Sequence, residues 1–371
     1  MKNIEKIRIG LDCFLLSKQN RGVANYILRL TKLIKENKEK QITFYFFRPR
    51  IKKIRLIKKY HSIYLNLYLI IWEQLIFPIR AKINRCNYVI YPANTGSLHL
   101  SRILNLKFIL VLHDIYFTLD KNKYPQYFNL QQYLSYLYRR LLIKGLIDNA
   151  FKIITVSNFA KKMIESYDIK SANKIFIIKN SVEKKNITKI STKKIKKSIL
   201  LVTGFHPQKN LQNVLPYILK KLKGFSIFIV GISFQNLSKI VEKNILKLGK
   251  KNNNIKIYDF LNKKNLNNIY LRSELFLMPS IYESLSIPLL EACYFRNIIL
   301  CSKTGATKET TKNKAIYYNN QNLLYLTKKI NSIAKLKNSF KKKILRFQHR
   351  MLSNNDDFLD KKNFKLLLRS L

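Results

Sequence analysis

Short apolar runs alternate along this chain with longer stretches whose apolar positions recur every three to four residues. Runs at 7–12, 42–47, 88–91, 108–112, 153–156 and 175–178 read as strands, and stretches such as 23–36 and 127–147 read as helices. After about residue 198 the pattern restarts, with strand-like runs at 199–203, 225–230, 255–258, 275–278 and 298–301. These runs are continuously apolar, which predicts strands covered on both faces. Strand–helix alternation predicts parallel sheets with helices packed on each side.

Between the two series, residues 183–197 are dominated by lysine and polar residues with no core-forming period, and read as a linker. The expected organisation is a Rossmann-like domain at 1–182, the linker, a second Rossmann-like domain at 198–345, and a basic helical segment at 346–371 that packs back on the first domain. Two doubly wound α/β domains joined in this way would face each other across a cleft, with ligands held at the carboxyl ends of the strands. No internal repeat points to a solenoid.

Composition modifies this picture in two ways. The 371 residues are 47% hydrophobic, enough for two cores. The 71 Lys and Arg against 20 Asp and Glu give a net charge of +51. That excess has two readings: a polyanionic partner, or the Lys-, Asn- and Ile-rich usage of an AT-rich genome. The four cysteines, Cys13, Cys86, Cys293 and Cys301, have no metal-ligand spacing, and a reducing compartment is expected. The N-terminus runs directly into a strand pattern, so no signal peptide is read there and a cytoplasmic location is expected. The longest apolar stretch, 63–79, is interrupted by Asn66, Glu73, Gln74 and Pro78 and reads as a buried or interfacial helix rather than a span.

Four loops can carry chemistry. Gln19 to Tyr26, with Gly22, follows the first strand and opens a helix, where free N–H groups suit an anion; a plain strand-to-helix turn reads the same way. His113-Asp114 ends an apolar strand, where an imidazole can position a reacting group or merely cap the strand. Thr203 to Asn210 sets Lys209 where it could neutralise a diphosphate, although lysine is common here. Pro279 to Ala292 is the most informative. Acidic residues are scarce, yet Glu283 and Glu291 stand eight apart across a loop-to-helix transition, with Pro288 suited to the first helical turn. A carboxylate there can hold ribose hydroxyls and another a second ring; a cap plus one exposed Glu is the plainer alternative. Asn354 to Asp357 reads as a helix-separating turn rather than a metal site. No zinc cluster or GxSxG triad is present.

The segment Glu283-Ser-Leu-Ser-Ile-Pro-Leu-Leu-Glu291-Ala resembles the E-x7-E element of the retaining GT-B glycosyltransferases of family four. Arg21-Gly22-Val23, His113-Asp114, Ile154-Thr-Val-Ser157-Asn-Phe, Lys179-Asn180-Ser181-Val182 and Gly204 to Asn210 are similar to further elements of that family, in its order. The resemblance spans roughly residues 5 to 310 and implies a GT-B fold and sugar transfer with retention of anomeric configuration. It implies that Glu283 contacts the donor sugar, Glu291 the ribose and Lys209 the diphosphate. Gly22 would lie close to the donor and His113 near the anomeric centre, both Glu283 and His113 counting as catalytic. Ser284, Leu285, Ser286 and Ile287 would complete the donor contacts. No metal or other cofactor is implied beyond the nucleotide-sugar co-substrate. Gln208 stands where the family often has Arg, and Ser284 and Ser286 replace its usual glycines.

The resemblance also implies a glycan or lipid-linked acceptor, met at the inner face of a bacterial membrane. The basic stretch 51–60 is a candidate for docking an anionic surface, or a solvated helix. Two other classes stay open at this level. A charge-driven nucleic-acid binder would show affinity falling steeply with salt, although no specific nucleic-acid motif is present. A GT-B-like epimerase or silent homologue would share the motifs without transferring sugar.

Overall fold

The computed structural model describes residues 6–17, 22–37, 39, 41–49, 62–180, 194–350 and 355–371. The stretch 51–60, Gln19 to Arg21, Ser181, Val182 and most of the expected linker lie outside them. The chain forms two compact units, one of 1–118, 129–181 and 355–371, the other of 119–128 and 182–354.

In the first unit, six parallel strands run β1 (Ile7–Asp12), β2 (Ile42–Phe47), β3 (Tyr88–Tyr91), β4 (Lys107–Val111), β5 (Lys152–Thr155) and β6 (Ile175–Ile177). Their spatial order is β2-β1-β3-β4-β5-β6. Helix α1 (Gly22–Glu36) buries Tyr26, Ile27, Leu30, Leu33 and Ile34, a three-to-four spacing that turns one face to the sheet. The stretch 63–79 becomes α2 (Ser62–Ile71), a π turn (Trp72–Ile76) and α3 (Phe77–Ile83). Helical dihedrals persist at Ile71 and Phe77, so the three run on as one rod. Pro78 lacks the N–H that would reach the Gln74 carbonyl, and the Ser97 hydroxyl donates to that carbonyl instead at 2.9 Å. No helix among the described residues is long and apolar enough to cross a membrane.

Helices α4 (His99–Ile103), α5 (Leu130–Asn149) and α6 (Asn158–Tyr167) complete the middle of this unit. The expected helix at 127–147 starts later, because the Asn129 side chain accepts from the Gln132 N–H and caps it at Leu130. Ser157, in the Ile154-to-Phe159 motif, caps α6 in the same way through the Ala160 N–H.

The second unit has β7 (Ser198–Val202), α7 (Leu211–Lys221), β8 (Ser226–Val230), α8 (Phe234–Ile240), α9 (Lys243–Asn252), β9 (Asn254–Tyr258), α10 (Lys263–Arg272), β10 (Leu275–Met278), α11 (Ile287–Tyr294), β11 (Ile298–Ser302), α12 (Thr307–Thr311), β12 (Ile316–Tyr318), α13 (Leu323–Lys335) and α14 (Asn338–His349). The sheet order is β12-β11-β10-β7-β8-β9, all parallel. Both faces are buried, as the continuous apolar runs predict. Ile199, Leu201, Ile227, Ile229, Leu275, Leu277 and Leu300 enter one core, while Leu200, Phe228, Phe276, Met278, Ile299 and Cys301 enter the other. The short edge strand β12 has only three residues, too few for a pattern, and does not stand out in the sequence.

The last helix, α15 (Asn355–Arg369), belongs to the first unit. Asp357 lies within it rather than in a helix-separating turn, because it is used: Arg29 of α1 pairs with Asp357 at 2.6 Å and Asp360 at 3.1 Å. Asp360 also accepts from the Lys179 N–H at 2.8 Å, and Asn363 donates to the Ile177 carbonyl at 2.7 Å. All four cysteines are free and buried.

Candidate functional site

The second sheet reverses its winding between β7 and β10. Connections leaving β7 proceed toward β8 and β9, and those leaving β10 proceed toward β11 and β12. Such a reversal opens a crevice beyond the carboxyl ends of the two strands, where open α/β sheets bind ligands. Lys209 leaves β7 and Glu283 leaves β10, so the topology delivers both to this crevice.

After β7 the chain enters a single 3-10 turn, Pro207–Lys209, and Asn210 takes a left-handed conformation (φ 57°) to open α7. The Ile281 N–H donates to the Gln208 carbonyl at 2.9 Å and ties the two outgoing loops together. Lys209 Nζ donates to Glu283 Oε1 at 2.7 Å, and Ser280 Oγ donates to the same oxygen at 2.7 Å. The backbone of Glu283 is fixed as well: its carbonyl accepts the Ala306 N–H at 2.8 Å. Gly305 (φ 51°) makes this approach possible, since a Cβ there would lie 2.5 Å from the Glu283 carbonyl oxygen.

Glu291 lies just past the first turn of α11, which starts at Ile287 with Pro288 in its first turn, as expected. It is 6% exposed and accepts from Lys263 Nζ and from the Tyr270 hydroxyl, the latter at 3.0 Å. Tyr270 is fully buried, stacks on Phe295 at 5.2 Å, and lies 3.2 Å from the Pro288 carbonyl through its hydroxyl. Ser284, Leu285, Ser286 and Ile287 form the turn between the two carboxylates. Ser286 is buried and its hydroxyl points to Met278 Sδ at 2.9 Å. The N-terminal N–H groups of α11 lack intrahelical acceptors and favour an anion.

Two carboxylates are thus each fixed by two donors, with two ammonium groups beside them. An ionised carboxylate offers about four acceptor sites, so Glu283 and Glu291 each keep capacity for ligand hydroxyls. Ser280 lies in the Pro279-to-Ala292 segment already singled out, whereas Lys263, Tyr270 and Gly305 carry no signal in the sequence. Lys263 and Glu291 are 28 positions apart, and only the packing of α10 on α11 joins them.

Gly22 and His113 belong to the first unit. Gly22 opens α1, and a Cβ there would meet nothing within 4 Å, so the protein's own packing leaves room for a side chain. His113 sits past the end of β4. Its N–H donates to Asn94 Oδ1 at 2.6 Å, its ring contacts Tyr26 edge-on at 4.8 Å, and Nε2 lies 2.9 Å from the Pro92 carbonyl. A carbonyl only accepts, so Nε2 carries the proton and Nδ1 of a neutral ring is left as acceptor. Burial lowers the imidazole pKa and favours that neutral ring.

Two further buried carboxyls of this unit stand at the carboxyl end of β1 and in the π turn. Asp12 accepts from the Phe14 N–H at 2.8 Å and Trp72 Nε1 at 2.9 Å, and burial pushes it up to about 7. Glu73 accepts from Thr95 at 2.6 Å and Tyr138 at 2.8 Å, and burial raises it too. In the sequence Glu73 shows only as a break in an apolar run. Among the described residues no group of three or more His, Cys, Asp or Glu could hold a metal ion.

Residues 182–354 match the family model "Glycosyl transferases group 1". A comparison with curated proteins finds no match. Solved structures resemble the chain over nearly its whole length. The Anabaena protein HepE, in complex with UDP and glucose, shares 14% identity with a TM-score of 0.69, covering 98% of this chain and 100% of that one. A glycosyltransferase from Rickettsia africae shares 18% identity with a TM-score of 0.58, covering 98% of each chain. Sucrose-phosphate synthase from Thermosynechococcus elongatus shares 12% identity with a TM-score of 0.65, also covering 98% of each. The crevice at the β7–β10 reversal therefore lies within the stretch that matches the group 1 glycosyl transferases, in a chain that has the GT-B fold.

Proposed function

We propose that the chain is a glycosyltransferase that moves a sugar from a nucleotide-sugar donor to a glycan or lipid-linked acceptor, with retention of anomeric configuration. The observation that carries this reading is the pairing of Lys209 with Glu283 at the sheet reversal of the matched domain, with Glu291 just past the first turn of α11. A carboxylate held by Lys209 and Ser280 through one oxygen presents the other to sugar hydroxyls. Glu291, held by Lys263 and Tyr270, suits the two hydroxyls of a ribose. The binding of UDP-glucose by HepE supports a uridine donor class for a chain of this fold.

In this reading Lys209 and the first N–H groups of α11 stabilise the leaving diphosphate, and no metal is needed. His113 lies near the anomeric centre, and its neutral ring can accept or orient a hydroxyl through Nδ1. Gly22 admits the donor close to the α1 N-terminus. The enzyme would work in the cytoplasm, at the inner face of the membrane where a lipid-linked acceptor resides.

The test is donor turnover with UDP-, GDP- and ADP-sugars, with product anomer read by NMR. Glu283→Gln is expected to lower kcat by about 100-fold or more, the usual cost of removing a group aimed at the reacting centre. Unchanged turnover in that variant would refute the assignment. Donor conversion without acceptor would point to an epimerase instead.

A further inference from the structure

Exposed apolar residues are ordinary when scattered, but not when aligned. In the first unit, Leu67, Ile71, Leu75, Ile79 and Ile83 are 51%, 48%, 50%, 44% and 73% exposed. They recur every four residues along the continuous rod of α2, the π turn and α3. In an uninterrupted α-helix four residues overshoot one turn by about 40°, so the row would wind steadily around the axis. The π turn at Trp72–Ile76 takes an extra residue per turn, so steps across it fall short and bring the row back into line. The core side of the rod carries Trp72, Phe77 and Ala81, all buried.

The helix bonded to the rod carries two more exposed leucines. Tyr138 of α5 bonds Gln74 at 2.7 Å and Glu73 at 2.8 Å, which fixes α5 against the π turn. Leu134 and Leu141 lie one helical turn to either side of Tyr138 and are 56% and 81% exposed. Along the rod and the first three turns of α5 the exposed charge has one sign. Between Ser62 and Ile83 the single carboxylate is Glu73, which is buried, and in α5 it is Asp148, at the far end. Lys82, Arg85 and Arg140 are exposed beside the apolar rows.

Aligned apolar side chains flanked by cations, with no exposed carboxylate in the rod or within a helical turn of Leu134 and Leu141 in α5, match a bilayer interface. The acyl boundary takes the leucines and isoleucines, and anionic headgroups take the lysines and arginines. A second copy of the chain fits less well, because a two-fold contact would set the same cations against one another. We propose that this face of the first unit, Leu67 to Ile83 with Leu134 and Leu141, docks on an anionic phospholipid surface with the rod lying in the interface plane. The inference rests on the proposed function for its purpose, a lipid-linked acceptor met at its own surface, and is tested apart from it.

The experiment is co-sedimentation of the full chain with vesicles of phosphatidylglycerol and phosphatidylcholine, and with phosphatidylcholine alone. The wild type is expected to sediment with the mixed vesicles and far less with the neutral ones. Leu75→Gln/Ile79→Gln/Ile83→Gln is expected to bind at least about tenfold more weakly. Its fold is checked by circular dichroism, and donor binding by thermal shift with UDP should stay unchanged. Should the triple variant not fold, Ile83→Gln alone, at the most exposed position, must still weaken binding. Equal sedimentation of variant and wild type overturns the proposal, as does failure of the wild type to bind the mixed vesicles. A wild-type dimer in light scattering that becomes a monomer in the variant overturns it too, assigning the face to a second copy. Absence of UDP binding in the wild type, with vesicle binding intact, would sink the proposed function and leave the docking face standing.

Discussion

Arg29→Met isolates one buried charge and makes its cost readable. Asp360 is 2% exposed, and burial pushes its carboxyl up to about 6 against Arg29 and the Lys179 N–H, which pull it down. The ordinary value is 3.8, so the native state binds the proton more tightly than the unfolded chain. Stability from this group is full below pH 3.8 and is lost as pH rises through 6, about 3 kcal/mol in all at about 1.4 kcal/mol per unit. Removing Arg29 leaves the N–H and the charge of Lys179 facing the carboxyl, which then keeps its proton to higher pH than in the wild type. Relative to the wild type, that change costs nothing at pH 5 and grows above pH 6, to at most about 3 kcal/mol by pH 8. The half-exposed Asp357 pair adds at most about 1 kcal/mol, and the methionine replaces the packing of the arginine stem. Trp72 is the sole tryptophan and lies buried in the same unit, so its fluorescence in urea titrations reports this unit. The stability gap between variant and wild type should widen by at most about 1.4 kcal/mol per pH unit above 6. Arg29→Met/Asp360→Asn should remove that slope. A gap that stays constant from pH 5 to 8 would refute the reasoning.

Other outcomes follow from the same geometry. Tyr270→Phe removes the hydroxyl that holds Glu291, a loss of about 1 kcal/mol, and should raise KM for the donor about fivefold with little change in kcat. Gly305→Ala puts a Cβ against the Glu283 carbonyl at a positive φ; it should cost about 1–3 kcal/mol in second-unit stability and lower turnover, read by thermal melting and donor assay. Asp12→Asn keeps the acceptor for Trp72 and Phe14 but removes the titration. The wild type should lose stability more steeply than the variant as pH rises from about 4 to 7, because the native Asp12 carboxyl is raised to about 7; equal slopes by Trp72 fluorescence would refute it.

Much of the fold is legible in the chain. Apolar runs announce nearly every strand, most plainly the central ones, whose two faces are both covered, while the edge strands β2 and β9 keep exposed positions. The scarcity of acid in a +51 chain makes Glu283 and Glu291 stand out in the sequence alone, and Pro288 marks the helix start that separates them. Capping side chains such as Asn129 and Ser157 set helix starts through local bonds that a sequence can show only as residue type.

What holds those carboxylates was decided by tertiary structure. The sheet reversal brings the β7 and β10 loops together, and no sequence spacing records that Lys209 meets Glu283 across 74 positions. Tyr270, Lys263 and Gly305 read as an ordinary aromatic, one lysine among many and a turn glycine. Each became specific only when packing supplied a partner. The same holds for Asp357, which looks like part of a polar break until Arg29 of the first helix reaches it and Asp360. Periodicity and composition are local and additive, so the chain displays them directly. Pairing depends on which elements become neighbours, and that follows from the order in which strands assemble into a sheet.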